Sequence, residues 1–96
     1  MSFEWDEDKN RRNIAAHGIQ FEDAQTIFDG PVLTRIDDRY SYDEIREISL
    51  GLFNGVVVLA VVHTDRDDVT RLISARKATS RERKQYEQAI QAGTHR

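Results

Sequence analysis

The chain contains no cysteine, one proline, one tryptophan and one methionine. Without thiols there is neither a disulfide framework nor a thiolate metal site. The longest apolar run, Val56 to Val62, is far too short to cross a bilayer. The acidic opening Met1-Ser2-Phe3-Glu4-Trp5-Asp6 lacks the apolar stretch of a secretion signal. These absences predict a cytoplasmic protein without a membrane role. No repeat or low-complexity linker divides the chain, so residues 1–96 read as one domain, with 92–96 as a frayed tail. A glycine-rich phosphate loop, a nucleophile elbow and a histidine–carboxylate metal motif are also missing. No metal and no cofactor are expected.

What is present suits a compact fold: 39% hydrophobic and 32% charged residues argue against disorder. The net charge of −3 hides an asymmetry. Residues 1–65 hold 6 Lys+Arg against 13 Asp+Glu, whereas residues 66–96 hold 8 against 4. The basic C-terminal segment is a phosphate attractor in an otherwise acidic chain.

Phe3 and Trp5 alternate with polar neighbours, as a short first strand does. Asp6 suits a helix N-cap, Glu7 and Asp8 favour the dipole, and Gly18 suits a left-handed C-cap after His17. A second helix is predicted over Phe21 to Phe28, ended by Asp29-Gly30-Pro31. Strands follow over Val32–Ile36, Ile45–Phe53, Val56–Thr64 and Val69–Arg76. Asp37–Asp43 reads as a polar loop, Asn54-Gly55 as a hairpin and Asp65–Asp68 as a turn. Thr79 and Glu82 form a capping-box pair that opens a last helix reaching about Ala92. The order β-α-α-β-β-β-β-α, with short turns late in the chain, predicts an α+β fold. Its helices pack on a mainly antiparallel sheet of four to five strands.

Strict alternation places Thr70, Leu72, Ser74 and Arg76 on one face of the last strand, and Val69, Arg71, Ile73 and Ala75 on the other. Surface ion pairing is the plainer account of a lone strand arginine. Arg76, however, is followed by Lys77, Arg81, Arg83 and Lys84 at a strand-to-helix junction, where several cations together can bind phosphate. Arg83 and Tyr86 share a helix face. A guanidinium pair can stabilise a phosphorane, and a phenol can donate a proton or stack on a base. Tyr86 alone reads more plainly as a core residue whose face Ile90 continues. Lys9, Asn13 and His17 form one polar stripe, of the kind a solvated face ordinarily explains. His63, after six apolar residues, is either a proton-transfer group or a satisfied semi-buried histidine. Asp37-Asp38, Asp43-Glu44, Asp65, Asp67 and Asp68 read as turn acids, and His95 falls in the tail.

The stretches Phe3-Glu4-Trp5-Asp6, Lys9, Asn13, His17-Gly18 and Phe21-Glu22-Asp23-Ala24 resemble the opening of BrnT-type toxins. Val61-Val62-His63-Thr64, Arg71 to Thr79 and Glu82-Arg83-Lys84-Gln85-Tyr86 resemble their close. The resemblance spans roughly residues 3 to 87. It implies a toxin of a bacterial type II toxin–antitoxin system, similar in fold to RelE-like ribonucleases, that cuts RNA and halts translation. It further implies a BrnA-type antitoxin as protein partner, with operator DNA bound only through that complex. Two departures stand out: Ala16 replaces a lysine common before the His-Gly pair, and Asp37-Asp38-Arg39-Tyr40-Ser41 lacks a loop histidine common in relatives.

On this footing the expected activity is metal-independent endoribonuclease cleavage by 2′-OH attack. Arg76 and Arg83 would stabilise charge. Tyr86, His63 and Lys9 are the remaining catalytic candidates, and Arg71, Lys77, Arg81, Lys84 and His17 are candidate RNA or phosphate contacts. Glu82 is a candidate base, although capping is its plainer task. The alternative is a catalytically weak module that serves mainly as antitoxin partner and operon co-repressor. Direct DNA binding by the chain alone ranks last, because the total charge is negative and no DNA-reading motif is present.

Overall fold

A computed structural model of the chain describes residues 1–38 and 45–93. Its elements are β1 (Ser2–Glu4), α1 (Glu7–His17), α2 (Phe21–Ala24), a 3₁₀ turn (Gln25–Asp29), β2 (Leu33–Ile36), β3 (Glu47–Phe53), β4 (Val57–Arg66), β5 (Val69–Lys77) and α3 (Ser80–Ala92). The fold is α+β, with five strands in the order β1-β5-β4-β3-β2. All neighbouring pairs are antiparallel except β1, which lies parallel to β5. A parallel pair needs a long crossover, and everything from α1 to β4 lies between these two strands. Among the described residues no helix is long and apolar enough to cross a membrane.

Local signals decide most element ends. Asp6 accepts the N–H groups of Asp8 and Lys9, and Gly18 closes α1 in the left-handed conformation. Asn54 and Gly55 both take positive φ in the β3–β4 turn. Asp67 and Asp68 do the same between β4 and β5, so the predicted four-residue turn shrinks to two and β4 runs on through Asp65 and Arg66. The capping box is complete in both directions: Glu82 N–H donates to Thr79 Oγ1 and Thr79 N–H to Glu82 Oε1.

The single helix expected over Phe21–Phe28 is instead four α-helical residues followed by the 3₁₀ turn. Phe21, Ala24 and Ile27 recur every three residues, and the tighter winding sets all three into the core. Gly51 permits this close seating, since a Cβ there would fall 2.8 Å from Ile27 Cβ.

The sheet has two apolar faces. Phe21, Ala24, Ile27, Val32, Leu59, Val61, Leu72 and Ala75 fill the face under α1 and α2, with Phe3, Trp5 and Phe28 packed against them. Trp5 meets Phe21 edge-on at 6.0 Å. Ile48, Leu50, Val58, Ala60, Val62 and Tyr86 fill the face under α3.

Strict alternation along β5 fails at a bulge. Val62 pairs with Ser74 and His63 with Leu72, leaving Ile73 as an extra residue. Leu72 and Ala75, expected on opposite faces, therefore both enter the first core. Ile73 packs on the α3 side, the side from which Arg76 reaches Glu82 of α3. Arg71, the alternating neighbour of Leu72, also lies on that side, so the two arginines share a face.

The loop residues Arg39 to Glu44, including most of the segment that lacks the family histidine, lie outside the described residues, as do His95 and positions 94–96. Asp37 is buried, and its N–H donates to the Arg46 carbonyl.

Candidate functional site

The junction between β5 and α3 is built on Glu82. Its position in the capping box holds the carboxylate close to the sheet, where only 8% of the side chain is exposed. Arg76 donates to it through two nitrogens, at 2.7 Å and 3.0 Å. Arg35 donates from the other side at 3.0 Å and gives a second N–H to Gln85 Oε1 at 3.0 Å. Arg35 stands on edge strand β2, and Arg76 is on β5, with β3 and β4 between them. The small Ala60 is the cross-strand partner of Arg76, which leaves space for a long side chain to lie over the sheet.

Two guanidiniums on one carboxylate leave one positive charge in surplus. Arg76 above all, then the Thr79 N–H and Arg35, holds the Glu82 carboxyl at about 2, against a burial that alone would raise it. Both arginine side chains keep access to solvent, 30% for Arg76 and 44% for Arg35. Lys77, Arg81, Arg83 and Lys84 are exposed around the same junction. The surface can therefore receive a phosphate, with pre-aimed guanidiniums at its centre and exposed cations at its rim.

The other expected residues are distributed differently. Tyr86 is buried, its hydroxyl donates to the Pro31 carbonyl at 2.9 Å, and burial pushes its phenol pKa up. It belongs to the core under α3 and does not face solvent. Arg83 is exposed on α3, outside the Arg35–Glu82–Arg76 group. Arg71 pairs with Glu4 near the other edge of the sheet. Lys9 and His17 are on α1, which packs against the opposite face. Asn13, from the same predicted polar stripe, is buried there. Its side chain bridges to the Ile19 carbonyl and to both the N–H and carbonyl of Ala75.

His63 is also on that opposite face. It is 1% exposed, with Nε2 at 2.7 Å from Ser49 Oγ and Nδ1 at 3.0 Å from Asp65 Oδ1. The bulge leaves its ring against Phe28, edge-on at 5.2 Å. Sheet and core thus separate His63 from the arginines. The site residue that the sequence reading passed over is Arg35. Its one signal was a cation in a short edge strand, and its partner Glu82 lies 47 residues away.

Guanidiniums gathered at one strand-to-helix junction of a small α+β fold are suited to contact the phosphates of a polyanion. The model of the BrnT ribonuclease toxins of type II toxin–antitoxin systems matches residues 5–82. The chain belongs to this BrnT family of ribonuclease toxins. It is also similar to the crystal structure of the Brucella abortus ribonuclease toxin BrnT, with 29% identity and a TM-score of 0.64, over 83% of this chain and 99% of that one. No curated protein sequence matches it. The matched segment contains Arg35, Arg76 and Glu82 and ends before Arg83 and Tyr86.

Proposed function

We propose that this toxin cleaves RNA at the Arg35–Arg76 pair without a metal ion, halting translation in the cytoplasm until a BrnA-type antitoxin covers it. The supporting observation is the convergence of two guanidiniums, from strands at opposite sides of the sheet, on one point of the α3 face. In the reaction the RNA 2′-OH attacks the adjacent phosphorus and the P–O5′ bond breaks. A 2′,3′-cyclic phosphate and a 5′-OH result, the 2′ proton passing to solvent water and O5′ taking a proton from solvent. Arg35 and Arg76 stabilise the negative charge that builds on the phosphorane oxygens. Lys77, Arg81, Arg83 and Lys84 track the neighbouring phosphates.

Glu82 is a positioning residue here. A carboxyl held at about 2 is too weak a base to take the 2′ proton effectively at neutral pH, but it pre-aims both guanidiniums. The arriving phosphate competes with it for their N–H groups. Tyr86, His63 and Lys9 are given no proton-transfer step, since burial or the sheet separates them from the arginines. Operator DNA is bound only in the antitoxin complex.

The test is RNA cleavage in EDTA by the wild type and by Arg76→Ala and Arg35→Ala, with growth measured on expression without antitoxin. Loss of one charge-stabilising donor lowers cleavage by about 10²–10³-fold, and toxicity falls with it. Wild-type protein that leaves RNA intact and growth unchanged rejects the proposal. One observation favours the rival reading of an interaction module: Glu82 already occupies both guanidiniums in the free chain. Equal harmlessness of wild type and Arg76→Ala, with tight antitoxin binding, is its signature.

A further inference from the structure

Across the sheet from the arginine pair lies a second group of ionisable side chains that the proposed cleavage does not use. Glu47 on β3 and His63 on β4 are cross-strand partners, and Asp65 follows His63 on the same strand. One ligand atom from each lies within 4.8 Å of the others. The imidazole is fixed on every side. Nε2 contacts Ser49 Oγ, which in turn contacts Thr34 Oγ1, both at 2.7 Å. Phe28 blocks the ring edge, and Nδ1 is aimed at Asp65.

We propose that Glu47, His63 and Asp65 bind one divalent first-row transition cation of the Zn²⁺ or Ni²⁺ type. Imidazole and carboxylate are its natural donors, and two carboxylates balance its charge. A metal-bound histidine normally gives its other N–H to a fixed acceptor, and Ser49 is placed as that acceptor. The hydroxyl pair serves both states. With a proton on Nδ1, Ser49 donates to Nε2; with a cation on Nδ1, Ser49 accepts from Nε2–H and donates to Thr34. Exchange of proton for cation therefore leaves no buried polar atom without a partner.

The geometry is close to what such an ion needs. Tetrahedral zinc, with bonds of about 2.1 Å, sets its ligand atoms about 3.4 Å apart. Nδ1 and the Asp65 carboxylate are already 3.0 Å apart. Glu47 is half-buried and Asp65 exposed, so neither is locked in the core, and the three ligand atoms start within 4.8 Å of one another. A cavity of about 200 Å³ opens beside His63 and Asp65, bounded by Phe28, Gly30, Val32 and Thr70. It admits the water that completes an open coordination shell.

The test is calorimetric titration of the full chain with ZnCl₂ and with NiCl₂, alongside the ring ¹⁵N signals of His63. Saturable binding of one equivalent is expected, with the Nδ1 signal displaced. Asp65→Asn and Glu47→Gln, both at accessible positions, each weaken binding at least about tenfold, and Ser49→Ala weakens it by about tenfold through ring orientation alone. EDTA removes the ion and any rise in Tm it confers but leaves RNA cleavage unchanged, so this site and the arginine pair fail independently. The proposal is overturned by no saturable binding of either ion, by equal binding in the Asp65→Asn/Glu47→Gln double variant, or by a His63 spectrum that does not respond.

Discussion

The two faces of the sheet are made for different purposes. Under α1 and α2 the packing is deep and aromatic, and even its polar members are buried: Asn10, Asn13, Ser49 and His63 are each at most 6% exposed. Under α3 the core is smaller, and beyond Tyr86 it gives way to the half-exposed Arg35 and Arg76 around one carboxylate. The buried amides and hydroxyls of the first face are satisfied by their neighbours and offer nothing to a polyanion. A guanidinium at the surface keeps donors within reach of solvent and of phosphate. The difference is why the proposed RNA contacts fall on the α3 face and not on the other.

Substitutions sharpen or break that division. Phe21→Ala empties the centre of the first core, where Phe21 is fully buried. It should lower unfolding free energy by about 3–5 kcal/mol in denaturant melts, with the acid limb of the stability profile unchanged. Glu82→Gln should act on the other face and chiefly through pH. The Glu82 carboxyl lies near 4.5 when unfolded and about 2 when folded. Its contribution is thus complete above pH 4.5 and lost as pH falls through about 2. That contribution is roughly 3 kcal/mol. The variant should lose it at neutral pH and show a flatter decline between those two values. A wild-type profile already flat there would show that Glu82 is not held by its arginines.

Asn13→Ala removes two bonds between α1 and β5 and a third to the Ile19 carbonyl beyond the end of α1. About 2 kcal/mol should go with them, and hydrogen exchange at the Ala75 amide should accelerate. Thr79→Ala removes one half of the capping box and should cost about 1 kcal/mol in thermal melts. If the faces are independent, Phe21→Ala and Thr79→Ala add to within a few tenths of a kcal/mol, about 0.3–0.5.

Features governed by neighbours in sequence were legible. Asp6, Gly18, Asn54-Gly55 and the Thr79–Glu82 box each act within a few residues, and each ends an element where expected. The order of strands and helices followed from them. The bulge at Ile73 was not legible, because it depends on how β5 meets β4, and it undid the alternation used to separate Arg71 from Arg76. Half of the arginine site was visible as a basic run after Arg76. The other half was not, since Arg35 meets Glu82 only when the sheet brings β2 toward α3. His63 was read between two roles, and its burial depends on Phe28 and Ser49, both distant in the chain.

The pairing of Ser2 with Val69 has a temporal meaning. Synthesis delivers β1 first, yet the strand that hydrogen-bonds to it is made after every other strand. Arg35 likewise has no Glu82 to meet until the terminal helix emerges. A polypeptide still short of that helix lacks Glu82, so the Arg35–Glu82–Arg76 group assembles only once the last element has been made.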